Sequence, residues 1–249
     1  MKVSKQDFDS FAPLWHVTVK VEYLYQTKIK GFQVPDNMDM RKLGACHKGI
    51  VVKHPLNKVV EPEPFPAFKI GGEYEIEIGD TVFFGWNAIF MMDKLDSHEI
   101  MIIEETDEIY LLLDYRELIL CEREGEKFGL NGYCGGYHPK KEKRPPSLIY
   151  IPSQDWEKEV FDAVNGKILE ADTSEYDLEK LIVTHAPKSQ PIYLTKERIN
   201  ATEVKVGDII CFPYGFCLTL ANKETDNYEL FAINNREVCA YADPKTIDL

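Results

Sequence analysis

Histidine and cysteine are the side chains here with the most reactive chemistry, and the chain carries six of each in 249 residues. A bound metal would need them at ligand spacing. Cys46, His47 and His54 come closest. No H-x-x-x-H, H-E-x-x-H or C-x-x-C pattern supports them, so the spacing points to a loop rather than a ligand set. The cysteines are Cys46, Cys121, Cys134, Cys211, Cys217 and Cys239. Several sit in apolar runs, where a thiol behaves as a small hydrophobe. No G-x-S-x-G elbow, phosphate-cradling P-loop or dinucleotide G-x-G-x-x-G occurs. Adjacent acids such as Glu104 and Glu105 suit a solvated turn. The expectation is therefore a protein that is not an enzyme and carries no metal or cofactor of its own.

What remains is binding chemistry. Two short apolar clusters end in proline: Gly31-Phe32-Gln33-Val34-Pro35 and Ser147-Leu148-Ile149-Tyr150-Ile151-Pro152. Each either offers its apolar side chains to a partner or anchors a buried turn. The second is approached by a Gly- and Lys-rich stretch, which favours the binding reading. A net charge of −13 argues against duplex nucleic acid and against an anionic membrane surface. The basic run of Lys140, Lys141, Lys143 and Arg144 is too short to reverse that and suits a solvated loop. Residues 1–10 are polar and acidic, unlike a signal peptide, and no apolar run reaches the roughly 20 residues of a membrane helix. A reducing, cytoplasmic compartment is expected.

The elements that would position these clusters come in two copies. Glu75-Ile-Glu-Ile-Gly-Asp-Thr-Val-Phe-Phe84 matches Glu203-Val-Lys-Val-Gly-Asp-Ile-Ile-Cys-Phe212 at an offset of 128 residues, Glu75 to Glu203. Alternating apolar residues (Ile76, Ile78 and Val82; Val204, Val206 and Ile210) predict a strand, then a Gly-Asp turn at Gly79-Asp80 and Gly207-Asp208, then a second strand. The match extends through residues 94–103 against 223–233 and residues 108–112 against 237–241. Upstream, Val17, Val19, Val21 and Tyr23 alternate as a strand face, and residues 118–121 take that part in the second half. Each half then has a loop-like stretch, residues 26–43 and about 125–155. A strand follows at residues 48–53 and at 165–170. Residues 156–164 are the one segment expected to be helical. The fold class expected is mainly β, in two modules, residues 1–114 and 115–249, joined stiffly by residues 114–117 without a flexible linker.

The order of these features resembles GroES-type co-chaperonins in a tandem, two-module form. Phe11-Ala-Pro-Leu-Trp15 is similar to the family's opening, Val204-Lys-Val-Gly-Asp-Ile-Ile-Cys-Phe212 to its most characteristic segment, and Glu104-Glu-Thr-Asp-Glu-Ile-Tyr-Leu111 to its closing strand. The chain departs from the family in several places. No Gly-Gly pair precedes either apolar cluster, Gln33 replaces a central apolar residue, and the second half has no Pro-Leu opening. The resemblance implies two GroES-like β-barrels with long loops, in a homo-oligomeric ring that caps a chaperonin. Phe32, Val34 and Pro35, or Leu148, Ile149, Tyr150, Ile151 and Pro152, would dock on the chaperonin, which would itself bind the ATP. Gly79, Asp80, Gly207 and Asp208 would be structural turns. The competing reading is a phage or host β-barrel scaffold with no chaperonin partner.

Overall fold

The computed structural model describes residues 1–33, 44–56, 68–69, 74–94, 99–138, 178–188, 192–193, 204–213, 215–234, 238 and 240–242. The chain is mainly β. Its first part contributes β1 (Lys2–Val3), α1 (Lys5–Ser10), β2 (Val17–Val21), β3 (Lys28–Ile29), β4 (Phe32–Gln33), β5 (Lys48–Lys53), β6 (Phe68–Lys69) and β7 (Thr81–Phe84). There follow α2 (Trp86–Lys94), β8 (Ile100–Ile103), β9 (Ile109–Leu113), a 3-10 turn (Tyr115–Glu117), β10 (Leu118–Arg123) and β11 (Glu126–Gly129). The remainder supplies β12 (Tyr133–Tyr137), β13 (Leu178–His185), β14 (Ile192–Tyr193), β15 (Ile209–Pro213), β16 (Leu218–Ala221), α3 (Lys223–Asp226), β17 (Leu230–Asn234) and β18 (Ala240–Ala242).

Two sheets dominate. The first runs β1-β8-β9-β2-β5-β7-β10-β11 and the second β16-β17-β12-β13-β15-β18. Two small ribbons, β3-β4 and β6-β14, accompany them, and no closed barrel is formed among the described residues. The stretch β8-β9-β2-β5-β7-β10 has the same strand order as the whole second sheet, with every neighbouring pair antiparallel in both. The likeness reaches single residues. The β2–β5 pair bulges between Thr18 and Val19, opposite Lys53 and Val51, and the β12–β13 pair bulges between Gly135 and Gly136, opposite His185 and Val183. A bulge re-aims a strand, so its presence at the same ladder position in both copies marks one architecture used twice.

Each sheet buries one face in its own core. Val17, Val19, Val21, Val82, Phe84, Leu111 and Leu113 line the first, closed by Ala88, Ile89 and Met92 of α2. Cys134, Leu181, Val183, Ile210, Phe212 and Ile233 line the second. A third cluster joins the sheets: Phe83, Ile119 and Leu120 pack on Leu220, Ala221, Leu230 and Ala232. At about 1.5–3 kcal/mol per buried large side chain, this contact resists hinge motion between the sheets.

Several strands lie elsewhere than the sequence predicts. β10, expected to open the second half, closes the six-strand unit of the first sheet beside β7, and β12 takes the opening position beside β13 and β17. Sheet membership therefore changes between Gly129 and Tyr133, not at residue 114. Gly135 and Gly136 suggested a loop, yet they lie mid-strand because there is little room for a side chain. A Cβ on Gly136 would lie 2.0 Å from the Ile182 carbonyl oxygen, and one on Gly135 3.0 Å from a Leu120 methyl. β9 matches β17 and β10 matches β18, one strand out of step with the expected alignment. The counterpart of β5 in the second sheet is β13, while residues 165–170 and 156–164 lie outside the described residues. Among the described residues, helices occur at α1, α2 and α3. In α2, Ala88, Ile89 and Met92 form one buried stripe, and the Trp86 and Phe90 rings, one turn apart, meet at a tilt with centroids 5.4 Å apart.

Candidate functional site

The first apolar cluster begins in the β3–β4 hairpin. Ile29 pairs with Phe32 across a two-residue turn in which Lys30 (φ 47°) and Gly31 (φ 84°) both have positive φ. That is the pattern of a type I′ turn, whose twist matches paired strands. Ile29 is buried, whereas Phe32 is 79% exposed, the most exposed large apolar side chain described. Val34 and Pro35 lie outside the described residues, as do Leu148, Ile149, Tyr150, Ile151 and Pro152.

The Gly-Asp segments are tight turns in both copies. Gly79 has φ 99° and Gly207 φ 97°, a region that favours glycine. In the first, the Asp80 carboxylate accepts the Glu77 N–H at 2.6 Å; in the second, the Asp208 carboxylate accepts the Lys205 N–H at 2.8 Å. This local bond gives the preceding backbone an alternative to a sheet ladder. Residues 75–78 and 204–206 accordingly do not form the strands that alternation predicts. Ile76 and Val204 are buried, but Ile78 and Val206 are 64% and 66% exposed. The exposure of these two equivalent positions was not foreseen from the alternation, which predicted a strand there. Their one distinguishing signal was proximity to the Gly-Asp pair.

Around Asp80 the side chains differ from those around Asp208. Arg123 donates from Nε at 2.9 Å and from Nη2 at 2.7 Å to Asp80, and from Nη2 at 2.9 Å to the Glu75 carbonyl. It also meets Glu77 at 2.7 Å. The Cys121 thiol donates to Asp80 at 3.4 Å. Burial pushes the Asp80 carboxyl up, but the Arg123 bonds, the Glu77 N–H and the thiol together hold it below the ordinary carboxylate value.

Cys46 and His47 are adjacent and buried, and neither His47 ring nitrogen has a hydrogen-bond partner among the described residues. Burial pushes the His47 imidazolium down, opposed by the Asp226 carboxylate of α3. No group of three His, Cys, Asp or Glu side chains is placed to hold a metal ion among the described residues. Burial raises the Cys46 thiol and pushes the thiols of Cys121, Cys134 and Cys217 up to about 12, so these four are poor nucleophiles at neutral pH. No helix is long and apolar enough to cross a membrane among the described residues.

No family model matches the chain, and no curated protein matches it.

Proposed function

We propose that the chain is a co-chaperonin-like lid, built from two GroES-like barrel modules, that caps a chaperonin ring and assists ATP-dependent folding in the cytoplasm. The observation that carries this reading is Phe32, presented at 79% exposure beside a tight turn and followed in sequence by Gln33-Val34-Pro35. The doubled six-strand unit supports it by supplying a stiff platform for each loop. A single apolar contact of this size is worth about 1.5–3 kcal/mol when buried, so one loop binds weakly. Several loops on one ring raise capture steeply through effective concentration. Gly79, Asp80, Gly207 and Asp208 serve as structural turns. Leu148, Ile149, Tyr150, Ile151 and Pro152 form the second docking cluster, and the nucleotide belongs to the partner.

The test is capture of the chain by a GroEL-type ring with and without ATP. Nucleotide-dependent capture is expected, and Phe32→Ser should weaken it at least tenfold with the thermal transition unchanged. Ile149→Ser with Ile151→Ser reads the second cluster separately. Absence of any nucleotide-dependent capture by the unaltered chain would leave the scaffold reading in its place.

A further inference from the structure

Large apolar side chains lie in the open around one cavity of the first sheet. Leu14, Trp15, Leu56 and Met91 are each half or more exposed. Leu14 and Trp15 lead into His16, which lines a cavity of about 230 Å³ together with Met91 of α2. Leu56 is tied beside them, because its N–H donates to the Pro13 carbonyl at 2.8 Å. Ala88 and Met92 of α2 and Leu112 of β9 supply the apolar wall of the cavity.

The rest of the lining is acidic: Glu99, Asp114 and Glu117, set against the single imidazole of His16. The backbone fixes each carboxylate. Asp114 and Glu117 form the capping box of the 3-10 turn. The Asp114 carboxylate accepts the Arg116 N–H at 2.9 Å, and the Glu117 carboxylate accepts the Asp114 N–H at 3.2 Å. Glu99 is held beside β9, its carbonyl accepting the Leu112 N–H at 2.8 Å. Partial loss of hydration pushes the Glu117 carboxyl above its ordinary value. The Asp114 N–H and Arg116 oppose that rise, and the carboxylates of Asp114 and Glu99 add to it. A cation in the cavity would relieve this crowding.

An apolar wall beside converging carboxylates complements a side chain that is apolar along its stem and cationic at its end. Arginine suits it better than lysine, since its planar fork meets two carboxylates at once and stacks on aromatic rings such as that of Trp15. Leu14, Trp15 and Leu56 then offer apolar surface to the residues that flank the arginine. The chain's net charge of −13 adds attraction at longer range. Three of the lining residues come from α2, and no helix stands between β15 and β16 among the described residues, so this feature belongs to the first sheet.

We propose that this side of the first sheet docks a peptide segment of a partner protein, in which one arginine flanked by apolar residues enters the cavity between α2 and the 3-10 turn. The docking rests on this cavity and its surroundings and not on chaperonin capture, so either can fail alone.

Fluorescence anisotropy with the full chain and a dye-labelled GLLRLLG peptide tests it. Saturable binding is expected, weakening as salt rises. A GLLELLG peptide should lose about tenfold in affinity. Glu117→Gln keeps an acceptor for the Asp114 N–H but removes the charge, and should weaken GLLRLLG several-fold and flatten its salt dependence. Met91→Arg puts a cation at the mouth, on an exposed position, and should weaken GLLRLLG about tenfold. An unchanged thermal transition shows that each variant is folded. Three results would overturn the proposal: no saturable binding of GLLRLLG by the unaltered chain, equal affinity for GLLRLLG and GLLELLG, or binding that both Met91→Arg and Glu117→Gln leave untouched.

Discussion

The Gly79-Asp80 and Gly207-Asp208 turns share their backbone and differ in their surroundings. Gly79 and Gly207 donate to the carbonyls of Val51 and Val183, each at 2.8 Å, and those valines donate back to the carbonyls of Asp80 and Asp208, each at 2.9 Å. Asp80 nevertheless lies 5% exposed under Arg123, while Asp208 is half-buried, and Tyr241 holds the register position of Cys121. The comparison separates two kinds of constraint. A turn set by one glycine and one short carboxylate depends only on its own few residues, so it repeats. A buried charge depends on strands distant in sequence, and it survives only in the copy whose closing strand supplies the cation.

The sharpest way to break this comparison is at Arg123. Arg123→Met leaves the Asp80 carboxylate buried without its cation and should lower stability by about 3 kcal/mol. Since Asp80 is held below its ordinary value when folded, its contribution is present above about pH 4 and is lost as pH falls through the folded value. In the Met variant, acid unfolding should begin at a higher pH. Asp208→Asn, which breaks no buried ion pair among the described residues, should lower stability much less. Urea titrations at several pH values measure both. Equal effects at Asp80 and Asp208 would mean that the turns are alike in their surroundings too.

The same distinction explains what was legible in the sequence. The Gly-Asp turns stood out because their determinants are adjacent residues. The Val17, Val19, Val21 alternation was legible for the same reason, and all three are buried as expected. Strand order was not legible. Alternation marks a strand without saying which neighbour it takes, and α2 occupies residues after β7 where the second copy passes through Gly215 and Cys217 directly into β16. That insertion let the later strands slide by one in the alignment. Gly135 and Gly136 misled for a further reason: glycine signals freedom in a turn, but here it answers a close approach between strands and a methyl from the other sheet. Of the apolar clusters, only Phe32 could be followed from sequence to surface.

A smaller effect sharpens the likeness of the turns. A Cβ on Gly79 or on Gly207 meets nothing within 4 Å, so an alanine is opposed only by the positive φ. Gly79→Ala and Gly207→Ala should therefore each destabilise by about 1–2 kcal/mol, and by nearly the same amount. A difference above about 1 kcal/mol in thermal or urea unfolding would show that the surrounding strands, and not the turn alone, set that backbone.

The smallest effect concerns a site that the copies do not share. The main chains of His47 and Glu179 stand in matching positions, beside Phe84 and Phe212, but His47 is buried and Glu179 half-exposed. Burial lowers the His47 value against the pull of Asp226, so the folded state holds the ring neutral. Above about pH 6.5 the ring is neutral in both folded and unfolded chains, and its contribution is complete. As pH falls below that, the unfolded chain binds a proton that the folded chain resists, and stability declines by at most about 1.4 kcal/mol per pH unit until the folded value is reached. His185 is lowered by burial as well and adds a parallel decline. His47→Leu should therefore flatten the stability profile between about pH 6.5 and 5.5 by up to about 1 kcal/mol while leaving the His185 part. Urea unfolding of both proteins at half-unit pH steps measures the difference. Superimposable profiles would mean that His47 takes up its proton as readily inside the sheet as outside it.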